Sequence, residues 1–348
     1  MAPFVLTILL FGLGLGTTVV FASSHWLLAW MGIEINTLAI LPLMAQRHHP
    51  RGVEAATKYF LIQATGGAML LFAATTNAWL TGQWDIQQMS HPFPVIMITV
   101  ALSLKIGLAP LHSWLPGVLQ GLDLTTGLIL STWQKLAPFI LLLQVPSPNS
   151  TLLVVLGLTS TLIGGWGGLN QTQLRKILAY SSIAHLGWMI LVLQFSPSLA
   201  LITLLTYIIM TSSAFLLFKL SQATSINMLA TSWTKAPALT ALTPLILLSL
   251  GGLPPLTGFM PKWLILQELT KQSLAPTATI AALTALLSLY FYLRLSYAMT
   301  LTMSPNNPIG IAPWRQPSSQ SSTLLAIAMM ATLLLLPLTP AAVALIAH

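Results

Sequence analysis

The sequence predicts an all-α, polytopic membrane protein with about eleven transmembrane helices. The 348-residue chain has a mean hydropathy of +0.84, and charged residues make up only 5% of it. Soluble domains contain about 25% charged residues, so this composition is typical of a chain that lies mostly in lipid. A further observation supports this fold class: prolines break two of the apolar runs at related positions.

Apolar runs of about 20 residues are long enough to cross a bilayer as helices. Eleven such runs follow one another, at 3–21, 25–45, 57–80, 94–112, 122–144, 150–169, 174–194, 199–220, 238–270, 275–299 and 322–346. The Pro/Ser/Asn-rich stretch 300–321 is predicted to be a loop before the last helix. Two glycine-rich segments, 12–16 and 164–168, are predicted to be helix-packing faces.

The fourth and ninth runs contain the proline breaks. Residues 107–116 read GLAPLHSWLP, and 145 positions later residues 252–261 read GLPPLTGFMP. Proline interrupts helical hydrogen bonding, and broken backbone at membrane depth is tolerated only where protein buries it or a wet cavity hydrates it. A pair of such breaks in corresponding halves of a chain indicates an ion path.

Basic residues predict the orientation of the chain. With eleven spans, nine loop lysines and arginines fall on the amino-terminal side of the membrane, and only Lys271 falls on the other. The nine are Arg47, Arg51, Lys58, Arg175, Lys176, Lys219, Lys235, Arg294 and Arg315. The positive-inside rule therefore predicts an amino terminus on the inner face and a carboxyl terminus outside.

Several classes of function are excluded by what the sequence lacks. It has no cysteine, so it offers no disulfide, iron–sulfur cluster or thiolate nucleophile. No basic run with interleaved aromatic residues suggests a nucleic-acid partner, despite the net charge of +8. No metal-binding or nucleotide-binding motif occurs, so we expect no metal and no cofactor in this chain.

Three lysines fall inside predicted spans: Lys105, Lys135 and Lys262. Each costs about 2.5–3.5 kcal/mol to insert at mid-bilayer, where leucine would pack without that cost. The functional hypothesis is that they form a proton relay. The alternative is that each amine extends to the headgroups and has no catalytic role.

Glu34 lies near the middle of the second span. A carboxylate there needs a proton or a cation, and we expect Lys105 to be its partner. Such a pair can act as a switch, because protonating Glu34 releases the charge of Lys105. The alternative is a static ion pair that fixes helix packing.

Three further residues are secondary relay candidates. His112 lies inside the first break and could pass protons or satisfy freed carbonyls, and His185 lies within the seventh span. A lone histidine in a span is also typical of a hydrogen-bonded helix contact. Glu268 follows Lys262 by six residues and either completes the outer end of the path or faces the headgroups.

Four segments together resemble the antiporter-like membrane subunits of respiratory complex I. They read KIGLAPLHSWLPGVLQG at 105–121, WQKLAPF at 133–139, SSIAHLGWM at 181–189 and GGLPPLTGFMPKW at 251–263. The resemblance covers the whole chain. It implies two inverted five-helix repeats, over 1–145 and 146–300, followed by a loop and a terminal helix over 301–348.

The resemblance also implies roles for the charged residues. Glu34 and Lys105 would form the ion pair of a first half-channel, Lys135 would connect the two halves, and Lys262 would belong to the second broken helix. At an offset of 145 residues, Lys105 aligns with Leu250 and Glu34 with Ala179. The second repeat therefore does not copy the ion pair of the first.

The implied function is proton translocation as a subunit of NADH:ubiquinone oxidoreductase. Flavin, iron–sulfur clusters and ubiquinone would be bound by partner subunits, and the other partners would be the remaining membrane and peripheral subunits and membrane lipids. The implied location is the mitochondrial inner membrane, with the amino terminus in the matrix and the carboxyl terminus in the intermembrane space. The alternatives are a stand-alone cation/proton antiporter and a structural membrane subunit with static ion pairs.

Overall fold

A computed structural model describes residues 3–46, 49–146, 150–234, 237–301, 323–341 and 344. Over this part of the chain the protein is built of helices joined by short turns, with no β-sheet. Eight described helical segments, with 124–144 counted as one, are long and apolar enough to cross a membrane, and three shorter apolar helices cover 92–106, 238–251 and 323–334. The predicted all-α polytopic class is therefore confirmed.

The chain divides into two compact units, the first covering Met1–Leu156. Its helices are α1 (Pro3–Ala22), α2 (Trp26–Met44), α3 (Pro50–Thr81), α4 (Pro92–Ile106), α5 (Trp114–Gly121), α6 (Leu124–Ser131) and α7 (Trp133–Gln144). Helix α2 packs between α1 and α3, and α3 also packs on α4 and α5. Helix α7 contacts α1, α2 and α4, so α2, α4 and α7 surround a common interior.

Close packing of α1 on α2 depends on two glycines. A Cβ atom built on Gly32 would lie 2.7 Å from Cγ2 of Val20 and 2.9 Å from the carbonyl oxygen of Gly16. A Cβ on Gly16 would lie 2.8 Å from the carbonyl oxygen of Gly32. The two helices therefore meet backbone to backbone, which is how small residues bring membrane helices together.

The second unit covers Gly157–His348. Its helices are α8 (Ser150–Gly168, which begins in the first unit), α9 (Leu174–Leu193), α10 (Pro197–Ser221), α11 (Ile226–Ala230), α12 (Pro237–Gly251), α13 (Phe259–Lys271), α14 (Ala275–Thr300) and α15 (Thr323–Leu334). Helix α9 is buried on nearly every side, so it forms the centre of this unit. The predicted glycine-rich face at 164–168 packs here: Gly164 meets Ala184 of α9, and Gly168 meets Phe291 of α14.

The structure corrects one predicted boundary. The fourth span was expected to end at 112 and the fifth to begin at 122, but α5 fills Trp114–Gly121 and belongs to the broken helix. A proline at position 116 does not prevent this, because it lies in the first turn of α5, where no helical donor is needed. Arg47, Lys235, Arg315 and nearly all of the predicted loop 300–321 lie outside the described residues.

Candidate functional site

The first unit contains a buried ion pair between α2 and α4. Nζ of Lys105 lies 3.2 Å from Oε1 of Glu34 and donates a hydrogen bond to it. The side chain of Lys105 is 1% exposed and that of Glu34 is 25% exposed. Lys105 therefore does not extend to a surface, and its charge is compensated inside the protein, where an unpaired ammonium group would be strongly destabilising.

Two adjacent glycines of α3 provide the space for this pair. A Cβ on Gly66 would lie 3.0 Å from Cγ of Lys105, and a Cβ on Gly67 would collide with Oε1 of Glu34 and lie 3.4 Å from Nζ of Lys105. A larger residue at either position would push the carboxylate or the lysine side chain out of its observed place. The sequence analysis missed this role, because a glycine pair inside a span indicates helix packing rather than a charge site.

Further hydrogen bonds hold both partners in place. Thr37 lies one turn after Glu34 on α2, and its hydroxyl donates to Oε2 of the carboxylate at 3.2 Å. Nε2 of Gln63 on α3 donates to the backbone carbonyl of Lys105 at 3.1 Å. The indole of Trp114, at the start of α5, donates to the carbonyl of Leu104 at 3.2 Å. The carbonyls freed where α4 ends are therefore bonded by side chains.

The first break begins at a glycine in the left-handed region. Gly107 has φ of 87°, and its N–H and that of Leu108 both donate to the carbonyl of Ser103 at 2.9 Å. This is a conformation that glycine adopts without the strain of a Cβ atom. It ends α4 immediately after Lys105, so the lysine lies on the last turn of a helix, where a positive charge is favourable.

Lys105 and Lys135 line one cavity. Lys135 lies on α7 and is 2% exposed. The volume of the cavity is about 10 Å³, taken as the space open to the centre of a water-sized sphere, which is room for about one water molecule. Its polar lining also includes Asn36, Thr37, Tyr59, Gln63 and Gln134. Two lysines expected from sequence to act together therefore face the same polar interior of the first unit.

The second break has its own lysine. Gly252 takes the left-handed conformation with φ of 78°, as Gly107 does in the first break. Nζ of Lys262, on α13, reaches back across the break and donates to the carbonyl of Gly251 at 2.7 Å. Its amine therefore caps the carboxyl end of α12.

The secondary candidates lie in different surroundings. His112 is partly exposed in the turn between α4 and α5, where its backbone carbonyl accepts from the N–H of Leu115. His185 lies on α9 with its ring 5.7 Å from that of Tyr207. Glu268 pairs at 3.6 Å with Lys271, whose side chain is 61% exposed, so it belongs to the solvated end of α13.

The two units repeat a local backbone arrangement that the sequence analysis missed. In the first unit, His25 before α2 pairs with Asp85 after α3, and in the second, Gln173 before α9 pairs with Ser225 after α10. Each of these bridges therefore joins the start of one helix to the chain that follows the next helix, α2 and α3 in the first unit and α9 and α10 in the second. At the 148-residue offset of His25 and Gln173, Ser182 takes the position of Glu34.

The other ends of the two backbone pairs give a second offset between the units. Asp85 and Ser225 are 140 residues apart, and at that offset Tyr207 takes the position of Gly67. Tyr207 is fully buried, and its hydroxyl is hydrogen-bonded to Ser182. The second unit thus contains a buried pair of hydroxyl groups on α9 and α10.

The described residues contain no group of three or more histidine, cysteine, aspartate or glutamate side chains that could hold a metal ion. The side chains described at and beside the two breaks include carboxyl, ammonium, imidazole, amide and hydroxyl groups, all of which form hydrogen bonds.

Comparison with known proteins defines the class of this membrane protein. Residues 23–288 match the family model described as "NADH:quinone oxidoreductase/Mrp antiporter, TM", and residues 289–343 match that of the NADH dehydrogenase subunit 2 C-terminus. A solved structure of respiratory complex I from Thermus thermophilus contains a similar chain, 29% identical with a TM-score of 0.81. The match covers 97% of this chain and 80% of that one.

Curated relatives then identify the branch of that family. NADH-ubiquinone oxidoreductase chain 2 of Tetraodon nigroviridis is 74% identical over 98% of both chains, and that of Gadus morhua is 69% identical over 99% of both. The chain therefore belongs to the NADH:quinone oxidoreductase/Mrp antiporter family, and within it to the chain 2 proteins of NADH-ubiquinone oxidoreductase. The resemblance recognised from the four motifs, which was closest to the vertebrate chain 2 proteins, is confirmed.

Proposed function

We propose that this chain is a proton-translocating membrane subunit of the respiratory NADH:ubiquinone oxidoreductase. The observation that supports it best is the buried Glu34–Lys105 pair, with Lys105 and Lys135 lining one polar cavity. Membrane proteins keep ionisable groups in their interior at a cost, and such groups mark ion and proton paths. Family membership supports the assignment to a redox-driven complex.

The proposed relay begins at Glu34. A proton that binds the carboxylate cancels its charge, so Lys105 loses its counter-charge and holds its own proton less tightly. That proton passes through the cavity to Lys135, and the relay continues to Lys262 at the second break. Each step changes the charge next to the following group, so an electrostatic change at one end is passed along.

Lys262 has two roles in this proposal. It caps the carbonyl of Gly251, and a neutral amine retains N–H donors after giving up its proton. The cap can therefore persist through both protonation states. The second repeat supplies no carboxylate at the position of Glu34, where Ser182 lies instead, so we infer that its charge partner lies elsewhere along the relay.

We propose that the chain forms eleven spans in two inverted five-helix repeats with a terminal helix. The first repeat would comprise α1, α2, α3, α4–α5 and α6–α7, and the second α8, α9, α10, α12–α13 and α14. Matching backbone pairs at His25–Asp85 and Gln173–Ser225, and left-handed glycines at both breaks, support this correspondence. The repeat boundaries expected from sequence, 1–145 and 146–300, are part of the same proposal.

The membrane is proposed to be the mitochondrial inner membrane, with the amino terminus in the matrix. The bias of nine basic residues to one supports this orientation. Partner subunits would carry the flavin, the iron–sulfur clusters and ubiquinone. Electron transfer in those subunits would drive the relay, because the side chains along the proposed path carry protons and no electrons.

The proposal is tested by replacing Lys105 with methionine in the assembled complex. Methionine keeps the length and the apolar stem but cannot carry a proton, and Glu34 left alone would be neutral. We expect fewer protons translocated per NADH oxidised, measured in proteoliposomes with a pH-sensitive dye. A matched control is Lys58→Met, since Lys58 is exposed and pairs with Glu54 on the surface of α3. A normal ratio in Lys105→Met would end the relay proposal.

Arginine separates the relay from a static ion pair. Lys105→Arg keeps a positive charge beside Glu34, but guanidinium does not release its proton at physiological pH. A relay predicts loss of coupled proton movement in Lys105→Arg, whereas a packing role predicts normal coupling. Joint replacement of Glu34 and Lys105 by apolar residues of the same size gives the converse test, because only a packing role survives it.

A further arm of the same test addresses the stand-alone antiporter. Cation/proton exchange by the purified chain in vesicles, without NADH or any partner subunit, would favour that alternative. Under our proposal, proton movement requires NADH oxidation by the whole complex and stops when the oxidation is inhibited.

A further inference from the structure

We propose that Asn36 is a positioning residue that holds a water molecule between Lys105 and Lys135. This inference rests on the proposed relay and adds to it the group that connects its first two lysines. Asn36 lies on α2, two residues after Glu34, and lines the cavity that both lysines share.

The side chain of Asn36 is buried and lacks a protein partner. The residue is 1% exposed, and among the described residues neither Oδ1 nor Nδ2 has a hydrogen-bond partner. A buried polar group left unsatisfied destabilises the folded protein, so buried amides are almost always bonded to protein or to ordered water. Because the cavity beside it is polar, water is the chemical partner that fits.

The neighbours of Asn36 are already engaged with protein. Thr37 donates to Glu34, Gln63 donates to the carbonyl of Lys105, and Gln134 donates to the backbone carbonyl of Asn36 at 3.4 Å. The last bond fixes the backbone of α2 against α7. Asn36 therefore lines the cavity while the donor and the acceptor of its buried amide both remain available.

Helix α1 provides the room for this amide. A Cβ on Gly16 would lie 2.5 Å from Oδ1 of Asn36 and 2.8 Å from its Cγ. The glycine thus allows the side chain to lie between α1 and the cavity. Any larger residue at position 16 would displace the amide without changing its chemistry.

The proposed step transfers one proton and no electrons. An N–H bond of the Lys105 ammonium breaks as an O–H bond forms on the water, and another O–H bond of that water breaks as an N–H bond forms on a neutral Lys135. The water is restored, the positive charge has moved from α4 to α7, and Asn36 only holds the water in line. Asn36 is therefore not itself protonated.

The first test is direct observation in the unmodified complex. A map of the assembled complex at a resolution that shows ordered water should contain a water within hydrogen-bond distance of the Asn36 amide. We expect the same water to lie within reach of Lys105, Lys135 or a second water between them. A dry, filled space at this amide would overturn the inference whatever any variant does.

The second test compares variants of the assembled complex. Asn36→Leu removes both polar atoms at similar volume, and we expect it to lose the ordered water and to translocate fewer protons per NADH oxidised. Asn36→Ser keeps a hydroxyl and leaves space for a further water, so it should restore both. The matched control is Asn77→Leu: Asn77 is a buried amide of α3 that donates to the carbonyl of Gln83, away from the cavity.

The outcomes separate this inference from the proposed function. If Lys105→Met abolishes coupled proton movement but Asn36→Leu keeps both the water and the normal ratio, only the role of Asn36 is wrong. If Lys105→Met pumps normally, the relay itself is wrong. Equal losses in Asn36→Leu and Asn36→Ser, with the water present in both, would show a packing role and overturn the inference.

Discussion

Replacing Gly67 with alanine should weaken the buried ion pair without removing either charge. The added methyl group would collide with Oε1 of Glu34, and that oxygen must move by at least about 1 Å to relieve the collision. At an effective dielectric constant of about 20, two unit charges attract by roughly 5 kcal/mol at the observed 3.2 Å and by roughly 4 kcal/mol at about 4.2 Å. The difference, about 1.2 kcal/mol, corresponds to about an eightfold change in an equilibrium constant.

With a weaker attraction, the proton affinity of Lys105 depends less on whether Glu34 is charged. We expect the Gly67→Ala complex to oxidise NADH but to translocate fewer protons per NADH, as measured in proteoliposomes by simultaneous absorbance and pH recording. Gly14→Ala is the matched control, because a Cβ on Gly14 meets no described atom within 4 Å. If Gly67→Ala assembled and pumped with the normal ratio, the reasoning that links the geometry of this pair to coupling would be refuted.

Two further predictions concern the second break and the packing of α1. Lys262→Met removes the donor to the Gly251 carbonyl, so it should lower both the thermal stability of the complex and coupled pumping. Lys262→Arg keeps a donor, so it should restore the thermal stability but not the pumping. Normal pumping in Lys262→Arg would contradict a proton-carrying role. Gly32→Ala places a methyl group against Val20 and the backbone of Gly16, so it should destabilise the α1–α2 contact by about 1–3 kcal/mol. Thermal unfolding and native gels measure this loss. Unchanged stability would contradict backbone contact between these helices.

Much of the fold follows from composition and proline placement alone. The scarcity of charge predicted a polytopic helical protein, and the two proline-rich segments predicted broken helices, both of which the structure contains. The separate helix α5 was not predicted, since the apolar run was taken to end at 112. Trp114, the first residue of this short helix, donates from its indole to the carbonyl of Leu104 across the break, and the sequence does not show that contact.

Part of the candidate site could also be predicted from the sequence, and part of it could not. Glu34 and Lys105 are rare charged residues in apolar sequence. Because each needs a partner of opposite charge, the sequence was enough to predict that they pair, and the structure places them together. Gly67 and Asn36 were missed because neither carries a charge, and their roles depend on what lies across the helix interface. The alignment at 145 residues was also incomplete, since the backbone pairs give offsets of 148 and 140 for different helices.

The glycine pair of α3 also limits how that helix can vary. Gly66 and Gly67 lie between Thr65 and Ala68, so the part of α3 that lacks side chains is only two residues long. One inserted or deleted residue earlier in α3 would turn the helix by about 100° and shift it by about 1.5 Å, bringing a side chain against Glu34. The length of α3 between its start at Pro50 and this pair is therefore fixed by the electrostatics of a neighbouring helix.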